Sequence, residues 1–198
     1  MTFQEAKKAA LSTLKGNWGS AILVSLVYAI LVSALSLIGG VGTLLFGSIL
    51  LIGYYNTLIQ ASMQNSFKVE TIFSGINSET LGTRITISIL KNLYIVLWSL
   101  LFFIPAIVKT YSYMLTEYIA LMNPDMSASE CITESRRLMN GHKMNMFLLR
   151  LSFIGWDLLC ILTGGLGYLL LTPYINQTII EYIDANILPL KQPQTIIE

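Results

Sequence analysis

The chain has 198 residues, of which 54% are hydrophobic and only 12% are charged, and its formal net charge is +1. Soluble proteins average about 25% charged residues, so this composition excludes an ordinary soluble domain. The near-neutral charge gives no support for a nucleic-acid partner, because nucleic-acid recognition needs a basic surface. The partner that the composition does predict is the lipid bilayer.

The residues before the first long apolar segment predict an amphipathic helix within an interfacial segment, 1–17. Thr2 and Glu5 have the spacing of a capping box, and small or apolar residues recur at helical spacing behind them. Such a helix either lies in the plane of the lipid headgroups or is only a polar lead-in to the first span. A cleaved signal peptide is a further alternative, but the apolar run that follows is as long as a full span, which favours a retained helix.

The first long apolar segment runs from Gly16 to Phe67, and its 52 residues include no charged side chain. A helix needs about 20 apolar residues to cross a bilayer, so the segment predicts two spans joined by a tight turn. We place these spans at residues 19–38 and 44–63, with glycines 39, 40 and 42 in the turn.

The remaining apolar segments predict up to four more spans, at about residues 86–104, 106–122, 146–171 and 174–188. We expect Pro105 to separate the spans 86–104 and 106–122, and Pro173 to separate the spans 146–171 and 174–188, because the residue before a proline is disfavoured in a helix. The last segment is short, about 22 Å at 1.5 Å per residue, so it either spans with a tilt or lies at the interface. The prediction is a single all-α domain, 1–198: a polytopic membrane helical bundle of about six transmembrane helices, arranged as three hairpins with additional cytoplasmic amphipathic helices.

The loop at residues 123–145 has clear helix start and stop signals. Asn123-Pro124-Asp125 ends the preceding helix, Ser127 and Glu130 fit a second capping box, and Asn140-Gly141 ends the new helix. One face of this helix carries Ala128, Cys131, Ile132, Ser135 and Met139. These features predict a short amphipathic helix on the cytoplasmic surface.

The distribution of basic residues predicts the orientation. With six spans and a cytoplasmic N-terminus, only Lys109 lies outside, and eleven basic residues lie on the cytoplasmic side, as the positive-inside rule requires. Those eleven are Lys7, Lys8, Lys15, Lys68, Arg84, Lys91, Arg136, Arg137, Lys143, Arg150 and Lys191.

The charged residues inside the predicted spans are the candidate site residues, because a charge at a helix centre costs about 2.5–3.5 kcal/mol on insertion scales. They are Lys109, Glu117, Arg150, Asp157, Glu181 and Asp184. Spacing puts the members of three pairs on shared faces: 150 with 157, 109 with 117, and 181 with 184. One interpretation is a polar pathway or substrate site between helices. The other, which the short spans favour, is that the basic side chains extend to opposite surfaces while the acids pair locally.

No catalytic motif accompanies these charges. The sequence has no HExxH, GxSxG, P-loop or GxGxxG pattern, so we expect no enzyme and no cofactor. His142 lies among Met139, Met144 and Met146, which are soft ligands that suit Cu(I), but the small number of ligands favours a plain loop histidine and no metal. Cys131 and Cys160 lie far apart and predict no disulfide.

Several motifs in the chain resemble those of one protein family. The motifs are Leu14-Lys15-Gly16-Asn17-Trp18, Ile104-Pro105, Tyr111-Ser112-Tyr113, Asn123-Pro124, the run 135–143, Ser152-Phe153-Ile154-Gly155-Trp156, and the run 162–167 with Pro173-Tyr174. They resemble the bacterial integral membrane proteins of domain-of-unknown-function family 975. The resemblance implies a small multi-span protein of the bacterial cell membrane, and it implies no known reaction.

Two hypotheses of function follow. The first is a non-catalytic multi-pass membrane protein that binds another membrane protein, or that confers protection against a membrane-active peptide. It rests on the absence of catalytic motifs and on the amphipathic cytoplasmic segments. The alternative is a small-solute or ion transporter or channel, which would use the intramembrane carboxylates.

Overall fold

The computed structural model describes residues 1–37, 40–101 and 103–188, and this part of the chain is helical without any β-strand. The all-α prediction is therefore confirmed. In chain order the elements are α1 (Phe3–Leu14), α2 (Trp18–Ser36), α3 (Val41–Gln64), a 3-10 helix (Val69–Gly75), α4 (Leu81–Leu101), α5 (Phe103–Ser112), α6 (Thr116–Met122), α7 (Ala128–Leu138), α8 (Lys143–Leu151), α9 (Ile154–Leu162) and α10 (Tyr168–Asn186).

Three helices of the described residues are long and apolar enough to cross a membrane, rather than the six that the sequence predicts. They are α2 with 19 residues, α3 with 24, and the 20-residue segment Lys143–Leu162 that α8 and α9 form together. α2 and α3 match the first two predicted spans closely. α10 has 19 residues, but polar side chains such as Gln177 and Glu181 make it too polar to count. The prediction of about six spans is corrected to three candidate spans.

α3 is the central helix of the bundle. Of its candidate span 61% is buried, against 17% for α2 and 22% for the α8–α9 segment. α2, α4, α6, α10 and the 3-10 helix all pack against α3. Between α2 and α3 the chain turns through Gly40, whose φ of +79° is accessible to glycine at little cost. The predicted turn residue Gly39 and the basic residue Lys191 lie outside the described residues.

The connection from α3 to α4 folds back onto α3 in very close contact. A Cβ atom added at Gly53 would lie 1.7 Å from the carbonyl oxygen of Ile72, and one at Gly75 would lie 2.0 Å from that of Ile49. Arg84, buried at the start of α4, donates a hydrogen bond to the carbonyl oxygen of Ser74 (3.1 Å). The 3-10 helix therefore belongs to the bundle and is not a free loop.

The predicted fourth span, 106–122, is divided into α5 and α6. A break at Tyr113–Leu115 separates the two helices, and Ser135 of α7 stabilises it. The Ser135 hydroxyl donates to the carbonyl oxygen of Ser112 (2.9 Å) and accepts from the backbone N–H of Leu115 (3.2 Å). The backbone groups that the break would leave unpaired thus find a side-chain partner from another helix.

The predicted interruption at Pro173 is wrong. The fifth predicted span, 146–171, ends earlier, because α9 stops at Leu162 and the chain then turns through Gly164 and Gly165, which have φ values of +65° and +91°. α10 begins at Tyr168 and continues through Pro173. Two consecutive glycines in the left-handed region end a helix more effectively than a proline near a helix start does.

Both predicted capping boxes are confirmed. Thr2 caps α1 with Glu5, and Ser127 caps α7 with Glu130. The predicted apolar face of α7 is buried along its whole length, from Ala128 to Met139. The capping boxes and the apolar periodicity were sufficient to locate both helices from the sequence.

The apolar face of α1 meets protein rather than lipid headgroups. Ala6, Ala10 and Leu14 are fully buried, and α1 packs against α10. Phe3 also contacts the ring of Tyr182, with the two centroids 5.6 Å apart. The apolar face of α1 is therefore covered by α10, and the location of 1–17 in the plane of the lipid headgroups stays a prediction.

Candidate functional site

A cavity of about 290 Å³ lies where six helices meet, and it brings together two of the predicted site residues. α3, α4, α5, α6, α8 and α10 each contribute to its wall, as does the break between α5 and α6. The lining residues are Leu51, Tyr55, Lys91, Ile95, Thr110, Tyr111, Tyr113, Met114, Glu117, Met146, Arg150 and Ile179. The wall is mostly apolar, with a few charged and hydroxyl groups, which is the usual composition of a small-molecule site.

Glu117 is the most deeply buried charged residue of this cavity. It belongs to the short helix α6, and it is fully buried. Its Oε1 accepts hydrogen bonds from the Ser48 hydroxyl (2.9 Å) and from the ammonium group of Lys91. Its Oε2 has no hydrogen-bond partner among the described residues. The carboxylate therefore keeps one free acceptor, although burial of such a group is costly unless it is paired.

The two partners of Glu117, Lys91 and Ser48, lie on two other helices. Lys91 lies in the middle of α4, and its side chain is 17% exposed. Ser48 of α3 also donates its backbone N–H to the hydroxyl of Ser88, one turn before Lys91 (3.3 Å). The contacts of Glu117 thus connect α3, α4 and α6 at one point.

Arg150 and Asp157 form the predicted pair. The guanidinium group of Arg150 donates to both carboxylate oxygens of Asp157, at 2.7 and 3.3 Å, across the turn between α8 and α9. The Arg150 side chain is 42% exposed and that of Asp157 16%. Arg150 also lines the cavity and is partly exposed there, whereas Glu117 is fully buried; Asp157 does not line the cavity.

Lys109 does not pair with Glu117, contrary to the shared face that the sequence suggests. Its ammonium group lies 4.4 Å from the centroid of the Trp98 ring, in a cation–π contact. It is also close enough to Arg136 and Lys143 to be repelled by both charges. Lys109 is therefore in electrostatic range of two residues that the orientation prediction put on the opposite side of the membrane.

Glu181 finds its hydrogen-bond partners on three helices. Glu181 Oε1 accepts hydrogen bonds from Thr13 (3.0 Å), Ser62 (2.8 Å) and Gln177 (3.0 Å), so it connects α1, α3 and α10. Asp184 is half-buried on the next turn of α10, and its charge acts on Tyr118 of α6. Neither acid lines the cavity.

Sequence reasoning missed Lys91, which is the principal partner of Glu117. We counted this lysine only as a basic residue of the cytoplasmic side. The available signal was its position, since Lys91 lies inside the predicted span 86–104 and meets the same criterion as the six candidates. Its partner could not be identified, because 26 residues and several turns separate Lys91 from Glu117.

The described residues contain no group of three or more His, Cys, Asp or Glu side chains that could hold a metal ion. Cys131 and Cys160 are both free and buried.

Residues 100–185 match the family described as "Protein of unknown function (DUF975)", so the resemblance to this family is confirmed. The matched region includes Glu117, Arg150, Asp157 and Glu181, but it does not include Lys91 or Ser48. The chain matches no curated protein and no solved structure.

Proposed function

We propose that this chain is a non-catalytic, multi-pass protein of the bacterial cell membrane that acts by binding another membrane component. That component is a second membrane protein or a membrane-active peptide against which the chain gives protection. The three long apolar helices support the membrane location. The basic residues support a cytoplasmic N-terminus, and Lys109 now supports it as well, because it lies near Arg136 and Lys143.

The observation that carries the proposal is that the carboxylates are held by the protein itself. Glu117 is bound by Lys91 and Ser48, Asp157 by Arg150, and Glu181 by three neutral donors. A transport site must exchange its partners with the cargo during each cycle. Charges that are fixed between helices favour a structural role, in which they determine which helix faces meet.

The exposed helix faces supply the surface for a partner. In the α8–α9 segment, Trp156, Leu158 and Leu162 are more than half exposed, and the segment as a whole is only 22% buried. An exposed apolar surface of this extent on a helical protein contacts either lipid or another apolar helix. A membrane-embedded protein or peptide can bind here without any change inside the bundle.

A photo-crosslinking residue at Leu158 tests the proposal in intact membranes. We expect a discrete protein or peptide adduct from this exposed position, and none from the same residue at Leu149, which is fully buried on the same segment. Lipid adducts alone at Leu158 would contradict the proposal.

A transporter of a small solute is the second candidate, and the cavity beside Glu117 favours it. Measurement of solute flux into proteoliposomes, with the wild-type protein and with Asp157→Asn, distinguishes the two functions. The amide keeps a hydrogen bond to Arg150, so a partner-binding protein stays folded and crosslinks as before. Solute flux that is present in the wild-type protein and lost in folded Asp157→Asn would establish the transporter instead.

A further inference from the structure

The cavity at the meeting point of six helices is lined by charged side chains of both signs, and their hydrogen-bonding capacity is not filled by the described residues. An ammonium group has three N–H donors, and Glu117 occupies one of those of Lys91. A guanidinium group has five, and Asp157 occupies two of those of Arg150. On the acceptor side, Glu117 Oε2 has no partner among the described residues although the side chain is fully buried. A ligand that pairs with these hydrogen-bonding groups needs both a donor and an acceptor.

The size of the cavity limits the ligand further. Its volume of about 290 Å³ is just below the range of about 300–1,000 Å³ for ligand pockets. This space suits a molecule of amino-acid size and is too small for a folded peptide or a whole lipid. Apolar side chains form the rest of the wall, among them Leu51, Ile95 and Ile179, so part of the ligand is apolar.

We propose that this cavity binds a small zwitterion that carries a protonated amine, a carboxylate or phosphate group, and a short apolar part. The amine donates to the free oxygen of Glu117 and lies beside the tyrosine rings of the wall, which attract cations. The anionic group accepts from the unused N–H donors of Lys91 and Arg150. This site goes beyond the proposed function, because it holds whether or not the chain also binds a membrane partner.

Binding measurements on the purified full chain in lipid nanodiscs test the charge requirement. Leucine is the first probe. Isopentylamine is leucine without its carboxylate group, and 4-methylpentanoate is leucine without its amine. O-phosphoethanolamine replaces the carboxylate by a phosphate. We expect leucine or O-phosphoethanolamine to bind at least about tenfold more tightly than either singly charged probe, because each of those loses one charge-assisted contact.

Two isoleucines of α4 give a matched pair of variants that test whether the zwitterion binds inside the cavity. Ile95 lines the cavity, and Ile89 is exposed on the same helix. Ile95→Phe fills space inside the cavity and should weaken zwitterion binding at least about tenfold, whereas Ile89→Phe should leave it unchanged. Thermal unfolding, followed by tryptophan fluorescence, tests whether both variants are folded.

Each outcome decides the proposal. Tight binding of leucine alone identifies an amino-acid type of ligand, and tight binding of O-phosphoethanolamine alone identifies a phosphate source such as a lipid headgroup. Equal binding of the singly charged probes, no binding of either zwitterion, or zwitterion binding that Ile95→Phe does not affect would each overturn it. Glu117→Gln, where it folds, should remove the advantage of leucine over 4-methylpentanoate.

Discussion

Glu117 is a buried charge that connects three helices of the bundle. It is fully buried, and its partners come from α3 and α4. A buried ion pair is weak support for stability by itself, because removal of two charges from water costs nearly as much as their attraction returns. Removal of one partner is different, since it leaves the other charge buried without compensation.

Glu117→Gln should therefore be strongly destabilising. We expect a loss of about 3–5 kcal/mol in the free energy of unfolding, toward the lower end because Lys91 is 17% exposed and can reach solvent. The double variant Lys91→Met/Glu117→Gln should recover a large part of this loss. Chemical unfolding in detergent micelles gives the comparison.

The matched control is Glu134→Gln on the surface of α7. Glu134 pairs with Arg137, and Arg137 is largely exposed, so this change should cost about 0.2–1 kcal/mol. Equal losses for Glu117→Gln and Glu134→Gln would show that the Lys91–Glu117 pair does not form.

At this scale the sequence predicted pairs that are close along the chain and failed for pairs that are not. Arg150 and Asp157 are seven residues apart, so helical periodicity was sufficient to place them together. Lys91 and Glu117 meet only because α4 and α6 pack around α3. No local spacing encodes that packing.

α7 is the element whose limits are best determined by local chemistry. The Ser127 hydroxyl accepts from the backbone N–H of Glu130 (3.4 Å), and the Glu130 carboxylate accepts from the backbone N–H of Ser127 (2.8 Å). Ser127→Ala should cost about 1 kcal/mol of helix stability, the usual contribution of a helix cap. Faster amide hydrogen exchange in the first turn of α7, relative to wild type, would show it.

The same capping box gives a pH dependence. The hydrogen bonds from Ser127 hold the pKa of Glu130 below its usual value of 4.5. A carboxylate with a lowered folded-state pKa contributes stability that is complete above the unfolded-state pKa and is lost as the pH falls through the folded-state pKa. We therefore expect the protection of the amides in the first turn of α7 against hydrogen exchange, corrected for intrinsic exchange rates, to decrease below about pH 4.5 in the wild-type protein. The decrease should be much smaller in Ser127→Ala. The same pH profile in both proteins would contradict the assignment.

Two glycines of α3 test how closely the 3-10 helix packs. Gly53→Ala would put a Cβ atom 1.7 Å from the carbonyl oxygen of Ile72, so the connection must move away from α3. Gly47 lies two turns earlier, where the nearest atom to an added Cβ is the Ser88 hydroxyl at 3.9 Å. Gly53→Ala should lower the unfolding temperature, and Gly47→Ala should leave it unchanged or raise it, since alanine favours a helix by about 0.5–1 kcal/mol. Tolerance of both changes would show that the close approach does not exist.

At the element scale the local signals predicted helix starts better than helix interruptions. Capping boxes locate α1 and α7, whereas Pro173 predicts an interruption that Gly164 and Gly165 in fact provide. The break between α5 and α6 depends on a hydroxyl from α7. A contact between distant elements of this kind leaves no pattern in the segment that it interrupts.

At the scale of the whole molecule, the position of Lys109 changes the expected topology. Six spans would place Lys109 across the membrane from Arg136 and Lys143, yet Lys109 lies within electrostatic range of both. Hydropathy counts apolar residues along the chain and cannot distinguish a crossing segment from one, such as α5 with its 10 residues, that is too short to cross alone. We therefore predict that the three charges lie on one side of the membrane, and the positive-inside rule predicts that this side is the cytoplasmic one.

Cysteine labelling in intact bacterial cells tests this arrangement. Single cysteines at Ser78, Lys109 and Asn140 should all be inaccessible to a membrane-impermeant maleimide from outside and accessible in inverted vesicles. The native cysteines give little background, because both are buried and burial raises the pKa of the Cys131 thiol to about 11, so its reactive thiolate is scarce at neutral pH. Labelling of Lys109→Cys from outside, with Asn140→Cys protected, would restore the six-span prediction. Labelling of Ser78→Cys and Asn140→Cys from outside would reverse the orientation of the whole protein.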